Sequence, residues 1–248
     1  MVEKVNYVVG ILFIFFIWTI ASYLINSQLI LPNPLSVFLT IADEITKQIF
    51  WMSLVQTLSK VLVVLFSVVF VGVVVGFLVG LNDILYEISR PFILFMQAFP
   101  IVTWLALVMF IWGIGWTGPV VVSFLSLLPN AILSTAVGIQ TTDKRLIEMA
   151  HVYNVRKSRI LKDVYLGSII PQFVSTLQVV IGNVWKVVVV AEYMCGEKGI
   201  GVLIAWARQS VSVEKVYAYT IVIIAIGLIV ESIVHRLVRR LLKNWELA

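Results

Sequence analysis

The chain has 248 residues, of which 61% are hydrophobic and 12% charged, and it carries a net charge of +5. A soluble domain carries about 25% charged residues, so a mean hydropathy of +1.05 with half that charge excludes a water-soluble globule and a disordered chain alike. Several apolar runs reach the roughly 18–20 residues that cross a hydrocarbon core, so the composition predicts an all-α membrane protein with no room for a soluble catalytic domain.

The first apolar run, about 7–31, follows Glu3 and Lys4. It exceeds the roughly 7–15-residue apolar core of a secretory leader, and no small-x-small cleavage site follows, so it reads as a retained first span. Leu31-Pro32-Asn33-Pro34-Leu35 then breaks the helix, because each proline biases its predecessor toward extended backbone. A short amphipathic helix follows over about 36–50, carrying Asp43, Glu44 and Lys47. The remaining spans are predicted at about 57–81, 92–112 (interrupted by Pro100), 117–138 (interrupted by Pro129), 169–194 and 216–242, with a polar loop at about 141–165. The chain is thus read as one transmembrane domain, 1–248, of six transmembrane helices with both ends on one side.

The basic residues choose the side. With both termini inside, twelve Lys and Arg fall on inner segments: Lys4, Arg90, Lys144, Arg145, Arg156, Lys157, Arg159, Lys162, Arg236, Arg239, Arg240 and Lys243. Four (Lys47, Lys198, Arg208, Lys215) fall outside, with Lys60 near the outer end of the second span. The positive-inside rule therefore predicts cytoplasmic termini and a cytoplasmic loop at 141–165. The positive charge reflects sidedness, and no basic stripe interleaved with aromatics points to nucleic acid. The single cysteine, Cys195, allows no internal disulfide, and His151 and His235 are too far apart to suggest a metal site. The sequence has no G-x-x-x-x-G-K-[ST], H-E-x-x-H or G-x-S-x-G, and Gly196–Gly201 reads as a turn, so neither catalysis nor a bound cofactor is expected.

Residues inside the spans are more informative. Gly72, Gly76 and Gly80 repeat at i, i+4 and i+8 and predict a face for close helix packing. Pro100 and Pro129 each remove a backbone hydrogen bond, and such breaks favour sites beside protein or a water-filled cavity. Lys186, Glu192 and Glu231 are costly in a bilayer and must pair, face the interior or sit near an interface. Lys186 and Glu192 lie on different helix faces, so Lys186 either pairs with Glu231 or meets an anion in a substrate path. Trp104, Trp112, Trp116, Trp185 and Trp206 suit interfacial anchoring or a flat-ring solute. Candidates for a substrate pathway are Lys186, Glu192, Trp185 and Pro100.

The polar loop opens with Asp143, a helix N-cap residue, and places Leu146, Ala150 and Tyr153 on one apolar stripe. Asn154 tolerates left-handed backbone and can end the helix, and a second short helix is expected from about Ser158 into the fifth span. Elements this short do not fold alone, so the stripe needs a lipid surface or a protein partner.

Glu148-x-Ala150, Asn154 and Val164-x-Leu166-Gly167 resemble the EAA motif of ABC-importer permeases, E-A-A-x3-G-x9-I-x-L-P, with Asn154 in place of Gly and Gly167 in place of Pro. Pro171 matches a second proline frequent in the nitrate/sulfonate/taurine-type branch, which includes bicarbonate and thiamine-precursor importers. Leu31-Pro32-Asn33-Pro34, Trp112-Gly113-Ile114-Gly115, Trp185-Lys186 through Met194, and Gly199-Ile200-Gly201-Val202-Leu203-Ile204 are similar to further motifs of that branch. The resemblance covers about 31–205. It implies a type I importer-like permease in which 141–165 is the coupling segment, with Glu148, Ala150, Asn154, Leu146, Tyr153 and Arg156 toward a separate ATPase subunit. It further implies a homodimeric pore, two ATP-binding subunits holding ATP and Mg, and an extracytoplasmic binding protein delivering a small solute across the inner membrane of a prokaryote. A stand-alone secondary transporter or channel remains the alternative, distinguished by uptake that needs no ATPase. A membrane-embedded enzyme would need a nucleophile or metal constellation that the sequence lacks.

Overall fold

The computed structural model describes residues 2–141, 144–153, 155–156, 159 and 166–245. The described elements are all helical: α1 (Val2–Ile25), α2 (Pro34–Ile45), α3 (Gln48–Gly80), α4 (Asp83–Ala98), α5 (Ile101–Trp112), α6 (Thr117–Gln140), α7 (Lys144–Val152), α8 (Leu166–Cys195), α9 (Ile200–Gln209) and α10 (Val213–Trp245). Among them α3, α6, Thr176–Cys195 of α8 and Val213–Val234 of α10 are long and apolar enough to cross a membrane, and α4 with α5 makes a fifth crossing if the bent pair counts as one. The described apolar stretch of α1, Leu12–Ile25, is shorter than the roughly 20 residues a full crossing takes.

Local sequence sets several of these boundaries. The Asn33 side chain accepts from the Leu35 N–H at 3.0 Å and Pro34 opens α2, so the proline-rich break is itself a helix start. The Asn82 carboxamide accepts from Ile84 and Leu85, which starts α4 nine residues ahead of the predicted third span and carries helix through Pro91. The break expected at Pro100 is present as an 87° bend between α4 and α5. The run from Gly196 turns only as far as Gly199; helix α9 begins at Ile200, where the sequence predicted no helix.

The core is organised on α6, in which no residue from Gly118 to Gln140 is exposed. Helix α3 packs along one side. Its buried face carries Val64, Val68, Gly72, Gly76 and Gly80, and its opposite face exposes Leu62, Phe66, Phe70, Val74 and Leu78. That opposition follows from 3.6 residues per turn, since the two series are two residues out of phase. At Gly72 an added Cβ would lie 2.5 Å from Ala131 Cβ, and at Gly80 2.9 Å from the Ala136 carbonyl, so α3 and α6 run parallel in backbone contact. Antiparallel to α6 runs α8, with Cys195 Sγ 3.2 Å from the Cβ position of Gly118. Val180, Val184, Trp185 and Val188 of α8 join Val61, Val64 and Val68 of α3 and Leu127 and Ala131 of α6 in the main apolar cluster.

Candidate functional site

Three polar assemblies stand out against this apolar frame. The first is fully buried. Lys60 of α3 and Glu192 of α8, 0% and 1% exposed, form an ion pair at 2.7 Å. Glu192 Oε2 also accepts from the Thr57 hydroxyl at 2.8 Å and from the Gly201 N–H at 3.1 Å. Thr57 Oγ1 accepts from the Ile200 N–H at 2.8 Å, and Lys60 donates a further bond to the Lys198 carbonyl. Glu192 and Thr57 thereby satisfy the first N–H groups of α9 from two other helices, and the carboxylate sits at the positive end of that helix. Sequence reading placed Glu192 among the pathway candidates and Lys60 near an interface; the structure joins the two in the interior. Beside them a cavity of about 530 Å³ lies between the start of α3 and the loop into α9, with Gln48, Met52, Gln56, Lys198 and Trp206 on its wall.

The second assembly fastens α2 to α10. The Tyr219 hydroxyl donates to Glu44 Oε2 at 2.6 Å, while Lys47 and Lys215 reach Glu44 Oε1 at 2.7 and 3.2 Å. Burial by itself would raise the Glu44 carboxyl, but the bonds from Lys47, Tyr219 and Lys215 outweigh it and hold it below the usual carboxylate range. A depressed carboxyl gives stability that is present above its ordinary range and lost as pH falls through its native value. Between about pH 7 and about pH 4, Glu44→Gln should therefore lose less melting temperature than the wild type loses. At neutral pH the same variant should be less stable by about 1–2 kcal/mol, since all three bonds lose their charged acceptor but two of them go to partly exposed lysines that water screens. Parallel acid limbs for the two proteins would contradict the assignment.

The third assembly lies at the α4–α5 break. Gln97, in the last turn of α4, donates from Nε2 to Asn130 Oδ1 of α6. Pro100, at the start of α5, is exposed and offers no side-chain cap. Neither amide stands out in the sequence, although an Asn directly after the membrane proline Pro129 is a usable signal.

The other predicted residues are distributed as follows. Lys186 is exposed, and so is Glu231; the expected pair is not formed, since the Glu231 carboxylate instead lies 3.7 Å from the Cβ position of Gly182, one turn away. Trp185 is 6% exposed in the apolar cluster, with its indole 3.6 Å from the Cβ position of Gly227. In α7, Glu148, Met149 and Val152 are exposed, as is Tyr153 just after it, whereas Ala150 is 7% exposed. The Val155 N–H donates to the Ala150 carbonyl at 2.9 Å, closing the end of the helix with a six-to-one bond. Arg156 is exposed just beyond it. The Leu146 side chain, Asn154 and the second short helix expected from Ser158 lie outside the described residues.

Residues 68–243 match the family described as binding-protein-dependent transport system inner membrane component. The chain is 27% identical over 229 residues to the taurine transport system permease protein of Escherichia coli K12, covering 90% of this chain and 83% of that protein. It is 28% identical over 251 residues to a bicarbonate transport system permease protein of Synechococcus elongatus, covering 95% and 88%. It is 24% identical over 196 residues to the nitrate import permease protein of Leptolyngbya laminosa, covering 79% and 70%.

Proposed function

Since this chain belongs to the family of binding-protein-dependent transport system inner membrane components and is a multi-pass inner-membrane protein, we propose that it is the pore subunit of an ATP-driven importer for a small oxyanion. The taurine, bicarbonate and nitrate permeases that it resembles support that solute class. In this reading six spans place both termini in the cytoplasm, two copies enclose the path, and ATP is hydrolysed by two separate subunits. An extracytoplasmic binding protein supplies the solute. Lys186 and Pro100 lie toward the path. Glu192 and Trp185 serve it only indirectly, by holding α8 in place.

The observation that carries the reading is α7. Met149 and Val152 of this nine-residue helix, and Tyr153 directly after it, are 53, 78 and 75% exposed. An apolar surface on so short an element needs a protein seat; exposed Glu148 and buried Ala150 resemble the EAA motif of importer permeases, with Ala150 shaping the helix from beneath. Closure of the ATPase pair would drag two such helices, and a capped rigid helix passes that motion to α6 and α8 where a slack loop would absorb it.

Co-expression with candidate ATPase subunits tests this. Wild type should retain the ATPase through purification and stimulate its activity in lipid. Ala150→Arg and Tyr153→Glu should each lower retention and uptake at least about tenfold, a loss of ~1.4 kcal/mol or more. The Tyr153 side chain is 75% exposed, so its variant guards against a misfolded Ala150→Arg. Uptake with no ATPase present would overturn the proposal in favour of a stand-alone transporter.

A further inference from the structure

We propose that the Gln97–Asn130 amide pair is a polar step of the translocation path, where oxygen atoms of the passing solute exchange hydrogen bonds. This rests on the permease reading above and adds two residues to it.

Depth comes from helix register. Asn130 lies twelve residues along α6 from Gly118, and Gly118 abuts Cys195 of α8. At 1.5 Å per residue the pair sits about 18 Å inward of that contact. Its neighbour Ala131 touches Gly72, near the middle of the apolar run of α3. Asn183 of α8, twelve residues before Cys195, is at the same level, and Lys186 is one turn further out. The amides are therefore close to the middle of the membrane.

Their chemistry then becomes informative. One bond joins them, Gln97 Nε2 to Asn130 Oδ1. Gln97 retains its carbonyl oxygen and Asn130 its amino group, and neither has another partner among the described residues. Gln97 is exposed and Asn130 half-buried. Hydrocarbon cannot satisfy such groups, and backbone as irregular as the Phe99–Pro100 break survives at this depth only against protein or water. Two independent features, free amide ends and an exposed helix break, thus fall on one spot. The free N–H groups match the oxygens of a small oxyanion, and the free carbonyl matches any N–H or O–H that it carries. Both groups are uncharged, so they replace part of a hydration shell without trapping an anion, as transit requires.

The test uses the full permease–ATPase complex in nanodiscs, with Gln97→Cys and Asn130→Cys made separately. Native Cys195 is 1% exposed and gives the background. The probe is a negatively charged, membrane-impermeant methanethiosulfonate. Both thiols should react at least about tenfold faster than Phe66→Cys on the outward face of α3. Taurine, bicarbonate or nitrate, whichever the complex carries, should slow them at least about twofold. Reaction no faster than at Phe66→Cys would overturn the proposal. So would conversion of the dimer to monomers by Gln97→Leu with Asn130→Leu, because the pair would then be adhesive between copies. If no ATPase associates but the thiols react quickly and are protected, the importer reading fails and this site stands. If the ATPase associates and the thiols are inert, this site alone fails.

Discussion

Glu192→Ala is expected to lower the stability of the protein by about 3–5 kcal/mol, which for a chain of this size shifts the melting midpoint by about 6–20 °C. Removing the carboxylate strands the Lys60 ammonium, which is 0% exposed and whose remaining partner is the Lys198 carbonyl. It also strands the Gly201 N–H and one bond of Thr57 at the start of α9. The loss is thus larger than the net value of the ion pair, since desolvation of each abandoned group is added. Three variants separate the contributions. Glu192→Gln keeps an acceptor for Gly201 and should lose less. Lys60→Met combined with Glu192→Leu removes both charges and should regain part of the loss, but not the α9 cap. Exchanging the charges, Lys60→Glu with Glu192→Lys, should not rescue, because an ammonium at 192 cannot accept from Gly201. Gly199→Ala should resemble Glu192→Ala. Its φ of 140° strains any L side chain, and the new Cβ would occupy the position of the Glu192 carboxylate. Thermal unfolding in detergent, followed by loss of the monodisperse peak, reads all of these. A shift under about 2 °C for Glu192→Ala would mean that the pair is solvated in the assembled protein.

The sequence made some of this legible. The spans over α3, α6, α8 and α10 were visible because apolar runs of such length have few other uses. The break at Pro100 was legible as a missing backbone donor, but the same signal at Pro129 marks no interruption, since α6 runs through it as one helix. What escaped was whatever depends on two distant segments meeting. Lys60 and Glu192 are separated by 132 positions, and hydropathy notes that each is costly without saying which pairs with which. Helical phase offered a partial guide, since Lys186 and Glu192 lie on different faces and do end up exposed and buried respectively. Helix α9 escaped for another reason. Its ten residues are too few for a span, and the caps that start it belong to α3 and α8 rather than to its own neighbours. The start of α4 was hidden by a polar first turn, where Asn82 and Asp83 resemble a loop until their capping role is seen.

Gly76→Leu is expected to prevent assembly of the α3–α6 core, and even Gly76→Ala should be destabilising. A Cβ at this position would lie 2.6 Å from the Ile132 carbonyl oxygen and 2.7 Å from Thr135 Cβ. Alanine in place of glycine within a helix gains up to about 1 kcal/mol from propensity, but overpacking costs about 1–3 kcal/mol and rises with side-chain size. The second effect wins here, because the nearest obstacle is backbone and cannot swing aside. Gly10→Ala is the internal control: nothing lies within 4 Å of its Cβ position, so only the propensity gain remains. The identity of the obstacle gives a sharper expectation than the sign. Trimming Thr135 should not rescue Gly76→Leu, because the Ile132 carbonyl stays in place whatever side chain α6 carries. The damage should also spread along α6, which carries Asn130 at mid-membrane and ends beside α7. Prising α3 from α6 displaces a helix that carries part of the proposed polar step and leads toward the proposed ATPase seat. Uptake by Gly76→Ala should accordingly fall further than its melting temperature suggests, with ATPase retention through α7 preserved. Full uptake by Gly76→Leu, or its rescue by Thr135→Ala, would show that the two helices are not held in backbone contact during transport.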